Sequence, residues 1–266
     1  MEWKSLIETQ YYNVDKTESI NITIPEFVKN NKDLKDLFKS YFVIFKTYKF
    51  GNFIFQMGRN HEAINKYNVG SILNGATHTF TLEKWNGIIK TIQEASAKSS
   101  TGIPIIYGVD AIHGATYIQK STLFPQEIGL AASWDTSMAR EMGRITAYET
   151  RASGVPWNFS PVLDLGSKPI WSRFFETLGE DVYLAKTLGA KIVDGYQGGA
   201  TIDKNHVAAC LKHYVGYGFP RTGRDRTPAL IPERTMLEQH LPPFEESINN
   251  GALTVMIGGD QADFDK

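Results

Sequence analysis

From about residue 61 onward, short apolar runs alternate with longer amphipathic stretches. His61 to Tyr67 has a helical pattern, and Val69-Gly70-Ser71-Ile72-Leu73 is a short apolar run between asparagines, the form of a buried strand. Thr81 to Ala97 carries Leu82, Trp85, Ile88, Ile89 and Ile92 at the spacing of one helical face. Ile103 to Asp110 is a second apolar run, closed by a carboxylate. Asp135 is placed to cap a helix running to about Ala152. Val155 to Leu163 predicts a strand, Asp181 to Tyr196 a helix with Leu184, Leu188 and Ile192 on one side, and Val207 to Val215 another strand. Pro232 to Asn249 predicts a helix opened by proline and stopped at Asn250-Gly251, before a last strand over Leu253 to Ile257.

Strands separated by helices predict a parallel sheet of βαβ units. About five or six units fit, whereas a closed (β/α)8 barrel needs eight in about 250 residues. The pattern therefore leaves two architectures, an incomplete barrel or an open doubly wound sheet. No Gly/Ser/Pro-rich linker divides residues 61–266, which read as one domain. Residues 1–60, rich in Lys, Asn, Tyr and Phe, are an unassigned N-terminal segment, and the Phe/Tyr stripe over 38–55 reads as core rather than as a binding surface.

The charge balance, 28 Lys+Arg against 29 Asp+Glu, removes the basic footprint on which a dedicated nucleic-acid binder depends. No apolar run reaches the length of about 18 residues that a membrane span requires. Met1-Glu2-Trp3-Lys4 does not open a signal peptide, so the chain as written is expected in the cytoplasm, or in the periplasm or outside the cell if its true N-terminus lies further upstream. The single cysteine, Cys210, allows no internal disulfide and no multi-Cys zinc site, and its place within a strand reads as a small buried apolar residue. The histidines show no HxH or HExxH spacing, so no metal is expected. No phosphate-binding loop is present, and Gly216-Tyr217-Gly218 is too short for a dinucleotide fingerprint, so no cofactor is expected.

Functional residues of parallel α/β folds gather at the carboxyl ends of the strands. Three predicted strands end in polar groups: the first in Asp110, followed by His113; the second in Asp164, followed by Trp171-Ser172-Arg173; the third in Lys212-His213. Such a set suits a polyhydroxylated ligand. A carboxylate accepts from two neighbouring hydroxyls, and Arg and Lys donate to hydroxyl oxygens. Trp157 and Trp171 could offer flat faces to a sugar ring, although Trp157 lies within a strand and reads first as core. Glu176, Glu180 and Asp181 read as caps of the following helix.

Several long motifs in order resemble the N-terminal domain of glycoside hydrolase family 3, over roughly three-quarters of the chain. They are Gly102-Ile103-Pro104-Ile105-Ile106-Tyr107-Gly108-Val109-Asp110-Ala111-Ile112-His113-Gly114, Thr122-Leu123-Phe124-Pro125-Gln126, and Gly154-Val155-Pro156-Trp157-Asn158-Phe159-Ser160-Pro161-Val162. Trp171-Ser172-Arg173 with Glu176-Thr177-Leu178-Gly179-Glu180-Asp181 follows, then Ala209-Cys210-Leu211-Lys212-His213-Tyr214, Gly223-Arg224-Asp225-Arg226-Thr227-Pro228-Ala229 and Leu241-Pro242-Pro243-Phe244. The pattern looks most like the β-glucosidase branch. The aminosugar branch carries a second His where this chain has Tyr217.

The resemblance implies an incomplete (β/α)8 barrel of about six βα units and a retaining hydrolysis of β-glucosides or short β-glucan oligosaccharides. It implies that Asp110, Arg173, Lys212 and His213 hold the sugar hydroxyls, with Trp171, Asp225 and Arg226 as further candidates. It places the catalytic Asp nucleophile in a Ser/Thr-Asp-Trp motif past Lys266 and the Glu acid/base in a second domain, so no catalytic residue is assigned within the chain. The C-terminal half of the family architecture is the expected missing partner. A non-catalytic β-glucoside-binding protein and an inactive gene fragment stand as alternatives.

Overall fold

The computed structural model describes residues 63–66, 68–73, 79–199 and 201–258. The N-terminal segment, its Phe/Tyr stripe and the run after Gly258 lie outside the described residues.

Residues 63–66 are helical and lead to β1 (Ser71–Leu73), α1 (Leu82–Ala97) and β2 (Ile106–Val109). Then come α2 (Glu127–Ala131), α3 (Thr136–Ala152), β3 (Trp157–Asn158), a 3-10 turn over Phe174–Glu176, α4 (Val182–Gln197) and β4 (Ala208–Tyr214). The chain closes through α5 (Glu233–Thr235), a π turn over Met236–His240, α6 (Pro242–Asn249) and β5 (Thr254–Ile257).

The five strands among the described residues lie in the order β1-β2-β3-β4-β5, all parallel. This order decides between the two architectures that the sequence left open. A doubly wound sheet reverses its strand order at a switch point, whereas here each strand joins the one before it. Successive right-handed crossovers then stack the helices on one face and curl the sheet, giving part of a barrel.

Local chemistry sets the helix ends. Thr81 accepts from the Lys84 amide at 3.2 Å, Asp135 from Ser137 at 2.8 Å and Met138 at 3.2 Å, and Asp181 from Leu184 at 2.7 Å. Gly198 ends α4 at φ 68°, a left-handed position open to glycine. Asp181 thus caps α4 as expected, but Glu176 does not; it turns toward Arg173.

Three expectations change. The strand predicted over Val155–Leu163 is regular only at Trp157–Asn158. Pro156 and Pro161 remove ladder donors, so the chain follows its neighbours through single bonds, from Phe159 to the Val109 carbonyl and from Leu163 to the Lys212 carbonyl. The helix predicted over Pro232–Asn249 is three pieces, because Pro242 and Pro243 bring no amide hydrogen and the turn widens until the Leu241 amide bonds Met236. On α1 the inward face is Trp85, Ile89, Ile92, Ala95 and Ser96, while Leu82 is exposed.

Two apolar clusters hold the layers together. Trp85, Ile89 and Ile92 of α1 pack on Tyr107 and Val109 of β2 with Ile64 and Val155. Met142 of α3 and Leu188, Ile192 and Tyr196 of α4 pack with Leu163, Leu211 and Phe244. Where α3 meets α4, Gly143 and Gly195 face each other, and a Cβ on Gly195 would lie 2.9 Å from the Gly143 Cα. Only hydrogen side chains permit so close a crossing.

Candidate functional site

The site grows from the carboxyl ends of β2, β3 and β4. Asp110 directly follows β2, and its turn is fixed by Asn158 of β3. The buried Asn158 amide accepts from the Ala111 N–H and donates to the Ala111 carbonyl, both at 2.9 Å. Asp110 is thereby held against Lys212 of β4, whose Nζ donates to Asp110 Oδ1 at 2.5 Å. The Lys212 side chain is 1% exposed and that of Asp110 30%. The ammonium is therefore enclosed while the carboxylate reaches solvent.

Lys212 and His213 are adjacent, and in a regular strand they would point to opposite faces. Between Leu211↔Val255 and Tyr214↔Ile257, two residues of β4 stand opposite one of β5. This bulge re-aims the strand at its functional end, so that consecutive residues carry two neighbouring contacts.

The second contact is larger. His213 Nδ1 lies 2.7 Å from Asp164 Oδ2, which also accepts from the His213 backbone amide at 2.9 Å. The Gly218 amide donates to Asp164 Oδ1 at 3.1 Å. His213 Nε2 lies 3.2 Å from Arg173 Nη1. Arg173 donates to Glu176 twice, from Nε at 3.0 Å and from Nη2 at 2.7 Å, so Glu176 is a partner of the site rather than a helix cap. Burial opposes the Arg173 charge, yet the Glu176 pair outweighs it and raises the guanidinium above its ordinary value. Burial, the largest influence on His213, pushes its proton affinity below the ordinary histidine value despite Asp164.

Of the further candidates, Trp171 is 2% exposed, so its indole faces are covered rather than open to a sugar. Its Nε1 donates to Asp225 Oδ1 at 3.2 Å, and Tyr217 donates to the same oxygen at 2.5 Å. Tyr217 meets His213 and Trp171 edge to face, with centroids 4.7 and 5.3 Å apart. Burial and the Asp225 bond push the Tyr217 hydroxyl up to about 12. Arg226 is not drawn in: its side chain is 67% exposed and lies 3.8 Å from Asp225. Trp157 is partly buried against Phe159 and donates to Thr254 at 2.8 Å.

One buried acid escaped the sequence reading. Glu127, at the start of α2, is fully buried against the segment that follows β3, accepting from the Val162 amide at 3.2 Å and from Ser160 at 3.2 Å. Its only signal was an acidic residue opening the apolar run after Phe124-Pro125-Gln126. Burial raises its carboxyl well above the ordinary value, with Lys212 among the opposing influences. The unfolded chain releases this proton near 4.5 and the folded chain only at higher pH. The stability so contributed is present below 4.5 and lost as pH rises through the folded value. Glu127→Gln keeps a neutral hydrogen-bonding group at every pH. It is expected to match the parent within about 1 kcal/mol in acid and to exceed it increasingly toward neutrality. Urea denaturation across that range checks this, and a gap that shrinks with rising pH contradicts it.

Among the described residues, no group of three or more His, Cys, Asp or Glu could hold a metal ion. No helix there is long and apolar enough to cross a membrane.

Residues 49–264 match the glycosyl hydrolase family 3 N terminal domain. The chain is 43% identical over 206 residues to a lysosomal beta glucosidase of Dictyostelium discoideum, covering 72% of this chain and 25% of that protein. It is 29% identical over 196 residues to a periplasmic beta-glucosidase of Salmonella typhimurium, covering 74% and 24%. Among solved structures it resembles an exo-1,3/1,4-beta-glucanase from a Pseudoalteromonas species with a TM-score of 0.72 and 31% identity, over 76% of this chain and 27% of that one. A mutant beta-glucosidase from Listeria innocua in complex with laminaribiose gives a TM-score of 0.65 and 33% identity, over 74% and 26%. The chain thus spans about a quarter of the length of these relatives.

Proposed function

The chain belongs to glycoside hydrolase family 3 through its N-terminal domain, and we propose that it supplies the sugar-holding half of a retaining β-glucosidase. The observation that carries this reading is the meeting of Asp110 with Lys212 and of Arg173 with His213, on consecutive residues of one bulged strand.

The partly exposed Asp110 carboxylate accepts from two adjacent hydroxyls of a β-glucoside while Lys212 holds it in place. Arg173 donates to a neighbouring oxygen from an N–H group that Glu176, His213 and Tyr217 do not engage. These contacts speed hydrolysis to the extent that they strengthen as the ring flattens toward an oxocarbenium-like transition state. The bond-breaking pair is a carboxylate that traps the anomeric carbon and a carboxyl that protonates the leaving oxygen. The 266 residues contain no Ser/Thr-Asp-Trp motif, so both groups are proposed to come from sequence outside them. β-Glucosides or short β-glucans are the proposed ligands. An exported or lysosomal setting is supported by the names of the Salmonella and Dictyostelium relatives.

Calorimetry tests the reading. Glucose or laminaribiose titrated into the chain is expected to give saturable heat, and Asp110→Asn is expected to weaken binding about tenfold or more, as befits loss of a charged hydrogen-bond acceptor. No heat with either sugar refutes it. With both catalytic carboxyls proposed to lie outside these residues, binding without turnover is the expected behaviour. An aryl β-glucoside is therefore expected to remain uncleaved by these residues alone, and full turnover contradicts that assignment.

A further inference from the structure

His213 sits between two partners of fixed polarity. Arg173 Nη1 carries only donors, so at 3.2 Å the His213 Nε2 facing it must be bare. The single ring proton then lies on Nδ1, directed at Asp164 Oδ2 2.7 Å away. The Asp164 side chain is fully buried and accepts three N–H groups, two of them from His213. With the opposite tautomer, two bare acceptors would meet at Asp164 and two N–H donors at Arg173.

We propose that Asp164 is a positioning residue that acts on Arg173 through His213. Its carboxylate fixes the Nδ1–H tautomer, and the bare Nε2 then steadies the guanidinium that Glu176 grips from its other side. His213 works here as a connector that orients Arg173. Glu176 and His213 engage three of the five Arg173 N–H groups, and the Tyr217 hydroxyl is a further hydrogen-bond partner of the guanidinium. The ligand class rests on the reading above, whereas the tautomer and the coupling to Arg173 do not.

Nitrogen-15 NMR of the histidine rings, without sugar, is the test. In the parent chain His213 is expected to show a protonated Nδ1 and a bare Nε2 at neutral pH. Asp164→Asn is expected to mix the two tautomers and to weaken glucose binding about tenfold, while Glu176→Gln leaves the His213 tautomer in place. A parent His213 protonated on Nε2 overturns the proposal even if no variant folds, as does an Asp164→Asn chain with an unchanged ring signature. A parent with the expected tautomer that binds no glucose leaves the relay standing and refutes the sugar reading instead.

Discussion

Asp110→Ala is expected to lower the stability of the chain by about 3 kcal/mol as well as abolish sugar binding. Removing one member of a buried ion pair leaves the other charge uncompensated, a loss of about 3–5 kcal/mol. The stranded group is the Lys212 ammonium, 1% exposed in the folded chain. Glu127 offers some relief, because Lys212 already draws its carboxyl toward the ionised form, which places the effect at the lower end. For a domain of this size that corresponds to a fall in Tm of roughly 6–12 °C. The asymmetry of the pair supplies the control. Lys212→Met removes the enclosed charge and leaves Asp110, whose side chain is 30% exposed and can hydrate. It is expected to lose sugar binding as well, with the smaller drop in stability. Thermal denaturation of both variants measures the difference, and a Lys212→Met chain less stable than Asp110→Ala would reverse the assignment of which partner is buried.

Gly195→Ala is expected to destabilise the chain by about 3 kcal/mol or more, the upper range for overpacking, without touching the site. An added Cβ would lie 2.2 Å from the Arg140 carbonyl oxygen and 2.7 Å from the Arg144 amide nitrogen. Both are helical backbone atoms, so no side-chain rotation relieves the clash and α3 and α4 must separate. Gly87→Ala in α1 is the contrasting case: its Cβ meets nothing within 4 Å, and the better helix propensity is expected to add about 0.5–1 kcal/mol. Denaturant melts of the two variants should move in opposite directions. Equal stability of Gly195→Ala and the parent would contradict the tight helix crossing.

Much of the architecture was legible because its signals are local. Asp135 and Asp181 announce α3 and α4 by capping, and the apolar runs before Asp110 and through Lys212 announce β2 and β4. What the pattern could not settle was strand order, since an incomplete barrel and a doubly wound sheet share the same alternation and differ only in long-range pairing. The breaks in β3 and before α6 come from prolines whose missing donors matter only once the neighbouring carbonyls are in place. Within the site, Asp110, Arg173, Lys212 and His213 all stood at strand ends or just beyond them. The bulge that aims Lys212 and His213 together is invisible in a sequence, because it is a mismatch between two strands. Glu176 looked like a helix cap and is a partner of Arg173. Glu127 looked like an ordinary first-turn acid, and only its burial against Ser160 and Val162 makes it exceptional.

The unbroken strand order also bears on how such a chain comes together in time. Among the described residues every strand pairs with those adjacent in the sequence, so none of these ladders waits for a distant segment, and loop closure stays short at each step. A ribosome adding roughly 5–20 residues per second delivers one βα unit after another, each able to dock on the last. At every stage one newly made strand is the margin of the growing sheet; among the described residues β5 is the last in the order, with Val255 and Ile257 exposed. The same topology that lets assembly keep pace with synthesis keeps an adhesive border exposed until the next strand arrives.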